Sequence, residues 1–162
     1  MYLMTYKKHQ NGFTLIELMT VIAIIGILSS IIYVSIQRAR DKAADKGAQV
    51  YLTNAVVQAK LYYFANGESF SGVCLPGTVG NVKSINDNLL NAAKETKVGT
   101  TDSINIGVGN GAMTTCHSNA NSWAAEVPLR GSTLGAPRMF CTDSEGKQIE
   151  KSGTLAGGST SC

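Results

Sequence analysis

The sequence has few charged side chains and almost no histidine. Charged residues make up 15% of its 162 residues, and His9 and His117 are the two histidines. This scarcity argues against imidazole catalysis and histidine-rich zinc sites. Cys116 precedes His117, but neighbours on a strand point to opposite faces, which disfavours a nucleophile–base pair. We therefore expect no enzyme activity, no metal and no cofactor.

A strong charge of either sign is also missing. The net charge is +3, and two of the basic residues, Lys7 and Lys8, lie close to the N-terminus. Beyond residue 12 there are twelve basic and eleven acidic residues. Without a basic surplus a nucleic-acid partner is possible but unsupported.

Residues 13–36 form a long apolar run whose single charge is Glu17. As a helix this run measures about 36 Å, enough to cross a hydrocarbon core of about 30 Å. It exceeds the hydrophobic region of a secretory signal, and no small-residue cleavage site follows it. Lys7 and Lys8 place its N-terminal end in the cytoplasm by the positive-inside rule. A carboxylate inside such a helix is costly and needs a partner.

The string GFTLIEL, from Gly12 to Leu18, and the apolar run that follows it closely resemble the N-terminal signal of type IV pilins and pseudopilins. The resemblance implies that residues 1–12 are a leader, which a prepilin peptidase cuts after Gly12. The new amine, that of Phe13, would then be methylated. In this family the glutamate at the position of Glu17 pairs with the N-terminal amine of a neighbouring subunit during assembly. A charge pair that forms only between subunits enforces their register.

Residues 37–66 continue the helix with an amphipathic pattern, and Asn66-Gly67 is expected to end it. Apolar or small residues recur there at spacings of four and three and share one face. We expect this stripe to pack on the globular head. Its members are Ala43, Gly47, Val50, Asn54, Val57, Leu61 and Phe64.

Residues 67–162 have the glycine-rich, strand-and-turn composition of a β-rich head outside the cytoplasm. A short helix is expected from Ile85 to about Lys94, with Ser84 as its cap. Trp123, Ala125 and Val127 alternate, as on one buried strand face. Strands are predicted at 103–108, 113–116, 122–129, 138–142 and 147–150. The family resemblance implies a ladle-shaped α+β subunit, in which the second half of the long helix packs on an antiparallel sheet.

Four cysteines, at positions 74, 116, 141 and 162, lie in the segment expected to be exported, so two disulfides are predicted. Three pairings are possible. Cys74 with Cys116 and Cys141 with Cys162 are favoured, and the second of these loops resembles the C-terminal disulfide region of pilins. Cys116 with Cys141 is the competitor. These cysteines lack the close spacing of zinc ribbons, and the acidic turn at residues 143–146 is better explained as solvated than as a calcium site.

The resemblance implies a structural subunit of a type IV pilus or a related filament. Its partners would be copies of itself, the prepilin peptidase, an assembly platform with minor pilins, and the membrane before assembly. A single-pass protein with an external head would then become part of a surface pilus or a periplasmic pseudopilus. Two alternatives stay open: a pseudopilin of a secretion or DNA-uptake system, and a minor tip pilin that binds a surface or DNA.

Overall fold

A long helix and a five-stranded sheet dominate the computed structural model, which describes residues 12–162. Apart from Gly12, the expected leader lies outside the described residues. The elements in chain order are α1 (Leu15–Ala65), β1 (Thr78–Val79), β2 (Val82–Lys83), α2 (Asn86–Thr96), β3 (Thr100–Asn105), β4 (Met113–Ser118), β5 (Trp123–Pro128), β6 (Arg138–Asp143) and β7 (Gln148–Ser152). The expected α+β class, a long helix packed on a sheet, is confirmed. The chain divides into two compact units, Met1–Ala39 and Arg40–Cys162.

The sheet has the order β3-β4-β5-β6-β7 and is antiparallel from β4 to β7. β3 instead runs parallel to β4 with an irregular register, so the expectation of a fully antiparallel sheet is wrong at this edge. The cause is the connection between these strands, residues 106–112. It makes no tight hairpin but passes beside the C-terminal segment, where the Gly109 amide donates a hydrogen bond to the Leu155 carbonyl at 2.9 Å.

The predicted strands correspond to observed ones, with shifted ends. The predictions at 113–116, 122–129, 138–142 and 147–150 overlap β4, β5, β6 and β7. The first prediction, 103–108, is displaced, because β3 ends at Asn105. The segment 67–83, expected to be a loop, contains the small antiparallel pair β1–β2.

The core of the second unit lies between α1 and one face of the sheet. From α1 it receives Ala48, Leu52, Ala55, Val56, Ala59 and Tyr62, all buried. The sheet contributes the bulky side chains of Trp123, Val127 and Phe140. Trp123, Ala125 and Val127 are buried as the alternation predicts. The small alanine side chains let the helix lie close to these large side chains, so that the helix and the sheet pack densely.

The predicted docking stripe of α1 is wrong, because its larger side chains point away from the core. Val50, Val57, Leu61 and Phe64 are all more than half exposed. This half of α1 carries two stripes with helical spacing, and periodicity alone does not tell which one is buried. The sheet packs on the alanine-rich stripe, and the stripe with larger side chains remains at the surface.

The C-terminal end of α1 and the N-terminal end of α2 each have a local cause. α1 ends at Ala65 because Gly67 adopts a left-handed conformation, with φ of 64°, and the Glu68 amide bonds the Tyr63 carbonyl at 2.9 Å. This is the Schellman arrangement, in which glycine costs least. The expected cap of α2 is wrong: Ile85 takes the N-cap position without a side-chain hydrogen bond. The Ser84 hydroxyl accepts a hydrogen bond from the Asn86 amide instead, at 3.4 Å.

A buried carboxylate ties α1 to the turn after β5. Asp45 Oδ1 accepts a hydrogen bond of 2.7 Å from the Arg130 amide. Burial raises the pKa of Asp45, and the Arg130 amide opposes this rise. The Arg138 guanidinium in turn donates to the Arg130 carbonyl at 2.8 Å and lies 3.8 Å from Glu150. The turn is therefore held from both sides.

The opposite face of the sheet is covered by the C-terminal segment, residues 153–162. The Cys141–Cys162 disulfide lies on this side, with Ala124 and Leu155 in a small apolar cluster. Glu126, which is fully buried, accepts a hydrogen bond from the Leu155 amide at 2.8 Å. Lys151 Nζ lies 3.3 Å from the other carboxylate oxygen as an ion pair, although it is not aligned as a hydrogen bond. Polar groups thus anchor this segment to the sheet.

Gly109 shows how tightly the connection between β3 and β4 is packed against this layer. A Cβ at this position would lie 2.5 Å from Glu126 Oε1 and 2.9 Å from the Leu155 carbonyl oxygen. Side-chain carbons do not come this close to backbone atoms, so any other residue would displace the segment. Glycine is the residue that permits this crossing.

We expect Leu52→Ala to lower the free energy of unfolding by about 2–5 kcal/mol, because it leaves a cavity in the core. The matched control is Leu61→Ala, the same change at a side chain that is 53% exposed, where the loss should be within about 0.5 kcal/mol. Urea unfolding of the full chain in detergent, followed by the fluorescence of Trp123, measures both. Equal losses would contradict the assignment of the buried face.

Glu126 predicts a pH dependence of stability. Burial raises its pKa, and the Leu155 amide, Lys151 and His117 oppose this rise. A carboxyl group with a raised pKa in the folded state contributes stability below its unfolded pKa, and that contribution is lost as pH rises through the folded value.

We therefore expect the unfolding free energy of the wild type, relative to Glu126→Gln, to decline as pH rises from about 4.3 towards neutrality. Glu145→Gln, a change at an exposed glutamate, serves as the control and should show no such slope. Urea titrations across this pH range measure the difference. A difference that grows with pH would overturn the expectation.

Candidate functional site

The first turn of α1 contains a capping box formed by Thr14 and Glu17. Glu17 Oε2 accepts hydrogen bonds from the Thr14 amide at 2.9 Å and from the Thr14 hydroxyl at 2.8 Å. The Thr14 hydroxyl in turn accepts one from the Glu17 amide at 3.3 Å. Two amides that a helix N-terminus leaves without partners are satisfied in this way. The negative charge also lies at the positive end of the helix dipole.

The bond between Gly12 and Phe13 is accessible beside this turn. Both residues are exposed and precede the helix. Among the described residues, apart from Gly12 itself and its chain neighbours, no atom lies within 4 Å of a Cβ built at Gly12. Within the described part of the chain, an enzyme acting on this bond would therefore meet no covering segment.

The apolar run predicted from the sequence forms the first half of α1 and is exposed along its length. α1 is long and apolar enough to cross a membrane, judged by length and composition. Its large exposed side chains in this half are Leu15, Ile16, Leu18, Met19, Val21, Ile22, Ile24, Ile25, Ile27, Leu28, Ile31, Ile32, Tyr33, Val34 and Ile36. A surface of this kind needs lipid or another protein surface to cover it.

The four cysteines form Cys74–Cys116 and Cys141–Cys162, the two pairs favoured from the sequence. The first bridge faces the helix side of the sheet, and the second faces the C-terminal segment. Cys116 and His117 point to opposite faces, since Cys116 is in its disulfide while His117 bonds the backbone of Gly107 and Ser159. Among residues 12–162 no group of three or more acidic, cysteine or histidine side chains could hold a metal ion.

Two features of the site region were missed from the sequence. The capping box has a sequence signature, threonine followed three residues later by glutamate before an apolar run, and Thr14 and Glu17 match it. The second is the exposure of Val50, Val57, Leu61 and Phe64, which were expected from the sequence to pack on the head.

The long apolar helix and the residues before it define a class of protein, one that is anchored by a helix and carries an N-terminal methylation signal. The family model for the prokaryotic N-terminal methylation motif matches residues 7–33. The type IV wide pilus major component PilA4 of Thermus thermophilus is 31% identical over 125 residues, which cover 76% of this chain and 86% of that protein. No solved structure gives a significant match. The chain belongs to the type IV pilin family.

We expect Thr14→Val to destabilise the first turn of α1, because it removes the hydroxyl that both accepts from and donates to Glu17. Hydrogen exchange of the amides of residues 15–18, measured by NMR in detergent micelles, should become several-fold faster. Thr20→Val is the matched control, since the Thr20 hydroxyl bonds only the Glu17 carbonyl. Unchanged exchange in Thr14→Val would show that the box does not hold this turn.

Proposed function

We propose that this chain is a structural subunit of a type IV pilus, made as a membrane-held prepilin and polymerised through its N-terminal helix. The observation that carries the proposal is the relation to a major pilus component over most of both chains. The exposed apolar half of α1 and the carboxylate at its start supply the surface and the charge that assembly requires. Proteins of this family are structural rather than enzymatic.

Processing is proposed at the Gly12–Phe13 bond, followed by methylation of the Phe13 amine. The methylation motif at residues 7–33 and the exposure of this bond support the assignment. A prepilin peptidase in the membrane would remove residues 1–12. Residues 13–36 would remain as the membrane helix, 37–66 as the second half of the helix and 67–162 as the head. Lys7 and Lys8 orient the head away from the cytoplasm.

Glu17 is proposed to pair with the Phe13 amine of a neighbouring subunit. Among residues 12–162, the hydrogen bonds of its carboxylate come from the amide and hydroxyl of Thr14, and both are accepted by Oε2. A carboxylate has acceptor capacity beyond two hydrogen bonds, so it can also accept one from an amine. A carboxylate and an ammonium group in an apolar filament core are each costly alone and tolerable together. Pairing would therefore select the one stagger of neighbouring helices that brings them together.

The exposed stripe of Val50, Val57, Leu61 and Phe64 is proposed as a second surface for neighbouring subunits. Single exposed apolar residues are ordinary, but four on one side of a helix form a patch of the kind that marks protein interfaces. Burying it would add a favourable hydrophobic contribution to assembly. An assembly platform and minor pilins are the further partners that such a filament needs.

A pseudopilin of a secretion or DNA-uptake system would share the N-terminal features. The relation to a major pilus component favours the pilus. Electron microscopy of the native host distinguishes the two, because a pilus subunit forms long surface filaments. Immunogold labelling of the head identifies the filaments that contain this chain.

We expect Glu17→Ala to abolish filaments in the native host while leaving cleavage intact, because the variant loses the intersubunit charge but not the peptidase site. Mass spectrometry and N-terminal sequencing should still find a chain that begins at N-methylated Phe13. Glu145→Ala, at an exposed position of the head, is the matched control and should assemble normally. Filaments at the wild-type level in Glu17→Ala, or a wild-type chain that keeps residues 1–12, would overturn the proposal.

A further inference from the structure

The head has a largely apolar cavity beside its edge strand β3. The cavity measures about 260 Å³, and its wall includes Leu75, Pro76, Leu90, Asp102, Ile104 and Ile106. Leu75 is 50% exposed and Ile106 is 63% exposed, so these two large side chains lie at its rim. A cavity of about 150 Å³ can hold a benzene ring, and this one therefore has room for an aromatic side chain.

The exposed stripe of α1 ends in Phe64, an aromatic side chain that is 71% exposed. Its ring meets that of Tyr63 edge-on, with 5.6 Å between the two centroids. Val57 and Leu61 precede it on the same side of the helix and are also more than half exposed. An aromatic side chain of this kind anchors a protein interface when it fills a pocket on the partner.

One charged residue lies beside each of these two surfaces, and the two charges are opposite. Lys60 is the single formal charge between residues 48 and 66, and it lies one helical turn before Phe64. Asp102 is the one residue with a formal charge in the wall of the cavity. Among residues 12–162 neither Lys60 nor Asp102 forms an ion pair within the chain. Each charge is therefore available to a partner.

We propose that Phe64 of one copy of this chain enters the cavity beside β3 of another copy, with Lys60 next to Asp102. This proposal rests on the function proposed above, since it identifies the surface that receives the exposed stripe of α1 in the filament. The opposite charges fix the orientation in which the stripe meets the cavity.

The apolar parts of the two surfaces also complement each other. With Phe64 in the cavity, the preceding residues of the stripe cover the rim at Leu75 and Ile106. Burial of these exposed side chains favours association.

The contact joins two different faces of the chain, and this property suits a filament. Each copy offers its stripe to one neighbour and its cavity to another. A heterologous contact of this kind generates an open helical polymer when its rotation does not close a ring. A contact between two stripes would carry positive charge on both sides and would stop at two copies.

The first test places one thiol on each surface. The four native cysteines are all in disulfides, so Phe64→Cys and Ile106→Cys together add the only free thiols. In filaments sheared from the native host, a short bismaleimide should link neighbouring copies into a ladder of dimers, trimers and longer products on a denaturing gel. Each single variant should stay monomeric, because the contact never pairs a position with itself.

The matched control combines Phe64→Cys with Leu134→Cys. Leu134 is 74% exposed and is not part of the wall of the cavity, so this pair should give no ladder. Phe64→Cys with Leu75→Cys, at the other rim position, should give one. Filaments in which neither rim position links to Phe64, or in which Leu134 links as efficiently, would overturn this inference and leave the proposed function standing. Absence of filaments in the wild type would instead contradict the proposed function.

The second test reverses the two charges. Lys60→Asp or Asp102→Lys alone places like charges at the contact and should lower the filament yield, relative to total subunit, by about tenfold. The combined variant restores an opposite pair and should recover most of the wild-type yield. Lys147→Asp, the same change at an exposed lysine of the head, should have no effect. Wild-type yields in both single variants, or no recovery in the combined one, would overturn the proposal.

Discussion

The first half of α1 presents an apolar surface, and nothing in the described part of the chain covers it. The need to cover this surface is the constraint with which the rest of the protein is consistent. Water is a poor surrounding for it, so the helix needs lipid or another protein surface to cover it. Under the proposed function these are a bilayer before assembly and other copies of the chain afterwards. The single acid in this half then has to be accommodated. The capping box does so within one chain, by turning Glu17 back on the amide and hydroxyl of Thr14. Assembly would replace an internal partner with an external one.

Features that depend on local chemistry were predictable from the sequence. The end of α1 just before Gly67, the approximate strand positions and the apolar run follow from backbone preference and hydrophobic spacing. The buried face of α1 was not predictable, because both of its stripes have helical spacing and only the sheet decides between them. The parallel edge strand β3 was missed for a similar reason: its direction is set by where residues 106–112 pack, a long-range contact.

Polar groups buried in the head were the least predictable part. Glu126 and His117 sit in strands whose neighbours read as ordinary sheet residues, and nothing in their spacing indicates a partner. Their partners are backbone groups of the C-terminal segment, at Leu155 and Ser159. That segment is rich in glycine, serine and threonine, a composition that predicts no helix or strand. A segment without regular secondary structure leaves backbone groups without ladder partners, and here side chains of the sheet bond some of them.

The two disulfides also determine how the head responds to a mechanical load. They close loops of 42 and 21 residues, and neither loop lies within the other. A force applied along the chain is carried by the disulfide bonds, so the residues inside the two loops are not extended. At about 3.3 Å per residue, roughly 210 Å of chain is therefore withheld from extension. A filament of such subunits can stretch by loosening contacts between or within heads, but most of each head cannot unravel while its bridges are intact.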